Sequence, residues 1–183
     1  MTSDANASPV PGSSNSCPAA VGVTVKTTIE RGNAYLFPEI YNVEITLLEV
    51  VRGEAARKRI ASDGMSDRPP KVGFEYILVL ARFGYYQRGR RQGGEAYQLT
   101  ESQFGAVSAD GKQEYELPPV AQQPQPSLIG RLFQQGETHE GRLLLQVPKG
   151  EKEPRLVFKR KHTEGIYGIW GYVWFQLYQS TPH

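Results

Sequence analysis

The sequence predicts an all-β domain of two packed sheets with one short inserted helix. Three observations carry this. Short extended apolar segments recur along the chain, with glycine, proline and Asx turns between them. One of them, Tyr76–Ala81, is an unbroken run of strand-favouring residues between Pro69-Pro70 and Gly73 on one side and a polar 87–94 stretch on the other. A run that short, apolar on both faces, reads as a central strand covered on both faces. Only Glu54–Ser62 reads as a helix, and there is no βαβ alternation.

Taken in order, Met1–Ala20 is mostly Ser, Ala, Asn, Pro and Gly with a single charged side chain, Asp4. Its apolar surface is too small to offset the entropy of ordering it, so it is expected as a flexible leader over residues 1–20, removable without loss of stability. The packed domain is then expected over residues 21–179. Val21–Ile29 alternates as a strand should. In Asn42–Arg52 the apolar positions run Val43, Ile45, Leu47 and then shift to Leu48 and Val50. Such a shift within one strand predicts a bulge near Leu47-Leu48. Helix propensity favours Glu54–Ser62. Ala56 and Ile60 give it a narrow apolar stripe, and a helix this short must dock to persist.

After the central strand, Tyr97–Ala109 is expected to be extended, anchored by Leu99, Phe104 and Val107. Asp110-Gly111 predicts a tight type I′ hairpin. Pro118–Pro126 holds four prolines and cannot be an inner strand. Arg142–Val147 alternates with Leu143, Leu145 and Val147 inward. Arg155–Lys161 and Trp170–Tyr178 complete the strands. In the last, Val173, Phe175 and Leu177 share one face, and Trp170, Tyr172, Trp174 and Tyr178 the other. One face is core. The aromatic face is either covered, with the Glu54–Ser62 helix as the expected cover, or displayed to a partner.

Composition excludes several classes. At 183 residues the chain fits one domain with a real core. A net charge of +2 is no polyelectrolyte signal, and no recognition motif points to nucleic acid. Cys17 is the single cysteine, so no internal disulfide forms. No apolar stretch approaches the ~18 residues of a bilayer span, so a membrane is reached through a tether if at all. Met1–Ala5 shows neither a basic nor an apolar signal region.

Several landmarks, in order, resemble a known family. They are Ile45–Gly53 running into the helix, Pro69–Val79, Ala109–Tyr115, Gln135–Gly141 before Leu143–Pro148, and Trp174–Leu177. The chain is similar at these points to the immunoglobulin-like domain of unknown function found in Gram-positive secreted proteins and lipoproteins, related in fold to a mycobacterial secreted antigen. The resemblance implies an immunoglobulin-like β-sandwich, exported and often tethered through a flexible leader. It implies no activity, cofactor or catalytic residue.

The residues themselves assign no catalytic, cofactor or metal position. There is no Gly-x-Ser-x-Gly elbow, and the one thiol lies in the leader. His139 and His162 sit in or beside polar turns. Glu137 and His139 share a face opposite Glu140, which reads as a solvated turn rather than a metal site. Three basic clusters stand out: Arg57-Lys58-Arg59 on the helix, Arg88 with Arg90-Arg91, and Lys159–His162. If two converge, an anionic partner is expected there. The expected function is a non-catalytic extracellular binding or structural module of an envelope protein or lipoprotein, with a protein or envelope polymer as partner. The alternative is a carbohydrate-binding module using the row Trp170, Tyr172, Trp174 and Tyr178.

Overall fold

The computed structural model describes residues 9–31, 39–63, 69–87, 96–118, 123–162 and 169–178. The chain is mostly β. Its strands are β1 (Thr24–Arg31), β2 (Glu39–Arg52), β3 (Phe74–Gln87), β4 (Tyr97–Gln98), β5 (Phe104–Val107), β6 (Glu114–Tyr115), β7 (Leu132–Phe133), β8 (Thr138–Pro148), β9 (Arg155–His162) and β10 (Ile169–Gln176). Among the described residues one α-helix, α1, spans Gly53–Ser62, and a 3-10 turn spans Glu101–Gln103. The first sheet runs β1-β2-β3-β8 and the second β10-β9-β5-β6, with a small β4-β7 ribbon beside them. All pairings between these strands are antiparallel.

The inner faces share one core. Val43, Ile45, Ile77, Val79, Phe83 and Leu143 come from the first sheet, and Phe104, Leu156, Phe158, Val173 and Phe175 from the second. Phe83 meets Phe158 across the layers with ring centroids 6.0 Å apart. The expected bulge is present: the β2–β3 register slips between Leu47 and Glu49. That slip hands the core-facing role from Leu47 to Val50 and turns Val51 outward to the helix.

β3 is central, as its apolar run predicts. Ile77, Val79 and Ala81 enter the main core, while Tyr76 and Leu78 face α1 with Leu144. The run ends where the helix ends. From Arg82 onward β3 alternates, because its outer face there meets water and pairs Arg82 with Glu140 at 2.7 Å.

Two expectations are corrected here. The helix does not cover the aromatic side of β10. Its Ala56 and Ile60 lie on Tyr76, Leu78 and Leu144 of the first sheet. The reason is chain length: β2 ends at Arg52 and α1 begins at Gly53, so no linker exists to carry the helix to the other layer.

The packed chain also begins before Val21. Residues 9–20 run along the open edge of β10 as a strap. Ala19 N–H donates to Trp174 O at 2.8 Å, Gln176 N–H to Ala19 O at 2.9 Å, and Trp174 N–H to Gly12 O at 3.0 Å. Ala19 itself is 0% exposed and belongs to the core. The strap closes the seam between β10 and β1. A second irregular segment closes the opposite edge, where Arg142 N–H of β8 donates to Pro126 O at 2.7 Å and Leu128 is buried.

The hairpin after β5 is wider than a two-residue turn. Ser108 N–H donates to Gln113 O, and Gly111 N–H to Ser108 O, which centres the turn on Ala109-Asp110. The Ser108 hydroxyl and the Lys112 N–H both bond the Asp110 carboxylate and hold it below the usual carboxylate range.

Candidate functional site

Strand periodicity places Val173, Phe175 and Leu177 inward, all buried. Tyr172, Trp174 and Tyr178 therefore stand on the outer face of the second sheet. The side chain of Trp170 lies outside the described residues. Tyr172 is 46% exposed, the one aromatic among the exposed large apolar side chains of the described residues. Trp174 is half-buried, with its ring edge against Gly111 and the strap residue Asn15 close by. The Tyr172 and Trp174 rings are 6.0 Å apart and tilted by 59°. Tyr178 is set apart from them, its ring receiving the Arg155 guanidinium at 4.9 Å.

Antiparallel register supplies the neighbours. Tyr172 lies opposite Lys159, and Trp174 opposite Val157. Lys159 is ion-paired with Glu114 of β6. Those two strands are not adjacent, since β5 runs between β9 and β6. The pair forms because Gly105 of β5 has no side chain. A Cβ there would sit 2.5 Å from Glu114 Oε1 and 3.4 Å from Val157 Cγ2. The carboxylate crosses the strand in the space so left. The result is a shallow surface of two aromatic rings beside an ammonium–carboxylate pair, over a floor of Val157 and Gly105.

The other expected positions disperse. Arg57, Lys58 and Arg59 are exposed on α1, and Arg59 pairs with Glu49 at 2.5 Å, which holds that carboxyl below its usual range. Arg88, Arg90 and Arg91 lie outside the described residues. The Lys159–His162 cluster splits: Lys159 faces out, and Arg160 turns inward to donate to Thr28 O at 3.3 Å. Burial pulls the Arg160 guanidinium below its usual range. The side chains of Lys161 and His162 lie outside the described residues. His139 Nε2 is 3.3 Å from Glu137 Oε2, while Glu140 pairs with Arg82 on the other face. Glu137 also accepts from the Gln134 N–H, which is the main cause of its lowered pKa.

A separate cleft of about 460 Å³ opens between the start of α1 and the Pro69–Gly73 loop. Arg57, Lys71 and Lys149 line it together with Glu54 and Glu75, and Glu75 is paired with Arg52 at 2.5 Å. Among the described residues, no group of three or more His, Cys, Asp or Glu side chains is placed to hold a metal ion. Among them, too, no helix is long and apolar enough to cross a membrane.

Glu114 and Gly105 are the site residues that sequence reasoning missed. Lys159 was singled out only as part of the basic Lys159–His162 run. Nothing local links Lys159 to Glu114, which is 45 positions away. Comparison of the chain with protein-family models, curated proteins and solved structures gives no match.

Proposed function

We propose that this chain is a non-catalytic extracellular binding module of a bacterial envelope protein. In this reading it is an immunoglobulin-like sandwich whose outer β9–β10 face receives the partner. One observation carries it: Tyr172 is partly exposed beside Trp174 on a face that the α-helix does not cover. A contiguous apolar patch at the surface is a mark of binding, and the adjoining Tyr172 and Trp174 rings form one here. The two antiparallel sheets with a common core support the immunoglobulin-like assignment. The ordered family-like motifs support the extracellular setting.

The test is co-sedimentation of the chain with isolated Gram-positive cell envelopes. The wild type should pellet with them, and Tyr172→Ala should stay in the supernatant. Equal retention of both would remove the β9–β10 face from the reading.

A further inference from the structure

The same face says what kind of ligand it fits, on the reading that it is a binding face at all. We infer that it takes a neutral saccharide, with one pyranose ring stacked on Tyr172 and adjacent hydroxyls on the Glu114–Lys159 pair.

Charge is the first argument. Lys159 is neutralised by Glu114. Arg155, the other cation of this face whose side chain is described, is only 9% exposed there, lies over the Tyr178 ring, and donates to Glu153 O at 2.7 Å. Neither of these two described cations is spare, which favours a neutral ligand over an anionic polymer. Ligand sites typically combine apolar surface with a few placed polar groups.

The second argument is what the pair offers. A carboxylate accepts and an ammonium donates. Side by side they match two neighbouring hydroxyls, each able to donate to one and accept from the other. The third is shape and area. Gly105 and Val157 keep the floor low, so a flat ring can approach Tyr172 without meeting a side chain from β5. A protein partner needs roughly 800 Å² with an apolar centre. Here a single exposed ring is available among the described residues.

The experiment is isothermal titration of the full chain with four neutral hexasaccharides, those of cellulose, starch, xylan and chitin. Polygalacturonate serves as the charged counterpart. At least one neutral sugar should bind. Tyr172→Ala should weaken it by about tenfold, the scale of one aromatic contact, while its urea midpoint falls less than that of Trp174→Ala. Glu114→Gln should weaken it less, since the amide still accepts. Failure of all four sugars, binding of polygalacturonate alone, or neutral binding indifferent to Tyr172→Ala each overturns the inference. If envelope retention still depends on Tyr172 while every sugar fails, the saccharide is wrong and the binding face stands. If retention does not depend on Tyr172, both fall.

Discussion

On the first sheet, α1 lays Ala56 and Ile60 onto Tyr76, Leu78 and Leu144, and none of the five is more than 4% exposed. On the second sheet the cover is a strap of small polar residues and a hairpin tip. It closes the edge of β10 and half of Trp174 but leaves Tyr172 in water. The difference is one of side chains. A helix with an apolar stripe removes a whole patch from solvent. A strap held by backbone hydrogen bonds satisfies a strand edge and buries little else. The aromatic row is therefore the face without a lid, and that is why it carries the functional proposal.

The sharpest way to break the comparison is at the sealed face. Ile60→Asp places a charge where the side chain is 4% exposed, with no cationic partner in its apolar cluster. The expected cost is about 3 kcal/mol or more, read as a drop in the urea midpoint. An unchanged midpoint would mean that α1 does not seal the first sheet.

The strap is the next test. Removing residues 1–20 deletes three backbone hydrogen bonds to β10 and the buried Ala19. At roughly 1 kcal/mol net per bond, less the entropy returned, the loss should be about 2 kcal/mol. Gly12→Val asks the same without shortening the chain. Gly12 has φ +84°, where a β-branched residue is strained, and its Cβ would meet Val25 Cγ2 at 2.9 Å. Both variants should melt earlier than the wild type. If the truncated chain melts with the wild type, the strap contributes no stability and the domain does begin at Val21.

Trp174→Ala measures the half-lidded position. A fully buried tryptophan would cost about 3–5 kcal/mol. For a ring that is largely but not wholly covered, about 2–3 kcal/mol is expected. A loss at the upper figure would show the strap and hairpin to be as effective a lid as α1.

Much of the scaffold was legible in the residues, for local reasons. The shift of apolar positions at Leu47-Leu48 is the bulge, and the unbroken Tyr76–Ala81 run is the part of β3 that has cover on both faces. The Ala56/Ile60 stripe is buried as its spacing requires. Two features were not legible. The strap is held by main-chain bonds, which any residue type can make, so its Ser- and Gly-rich composition reads as a loose leader. The cover of the aromatic row depended on which layer α1 reaches, and the direct Arg52–Gly53 junction settles that only once β2 is placed. Half of the site was visible as the alternation of β10. The Glu114–Lys159 pair was not, because it depends on strand order across β5 and on the missing side chain of Gly105.

The smallest expected effect on stability falls at the open face, and it sharpens the comparison most. Tyr172 lies on β10, the outermost strand of the second sheet, with its ring in water and Trp174 beside it. Replacing it with alanine leaves no internal cavity, because the residue lies at the surface with 46% of its area exposed. The lost contact with Trp174 and the lower strand propensity of alanine together amount to about 0.5–1 kcal/mol. The urea midpoint should therefore lie between those of the wild type and Trp174→Ala. Envelope retention and oligosaccharide binding should fall sharply in the same variant. A residue that matters little to folding and much to binding is what an unlidded aromatic predicts. Were Tyr172→Ala as destabilising as Ile60→Asp, the outer face of the second sheet would be core like the first, and the two faces would no longer differ.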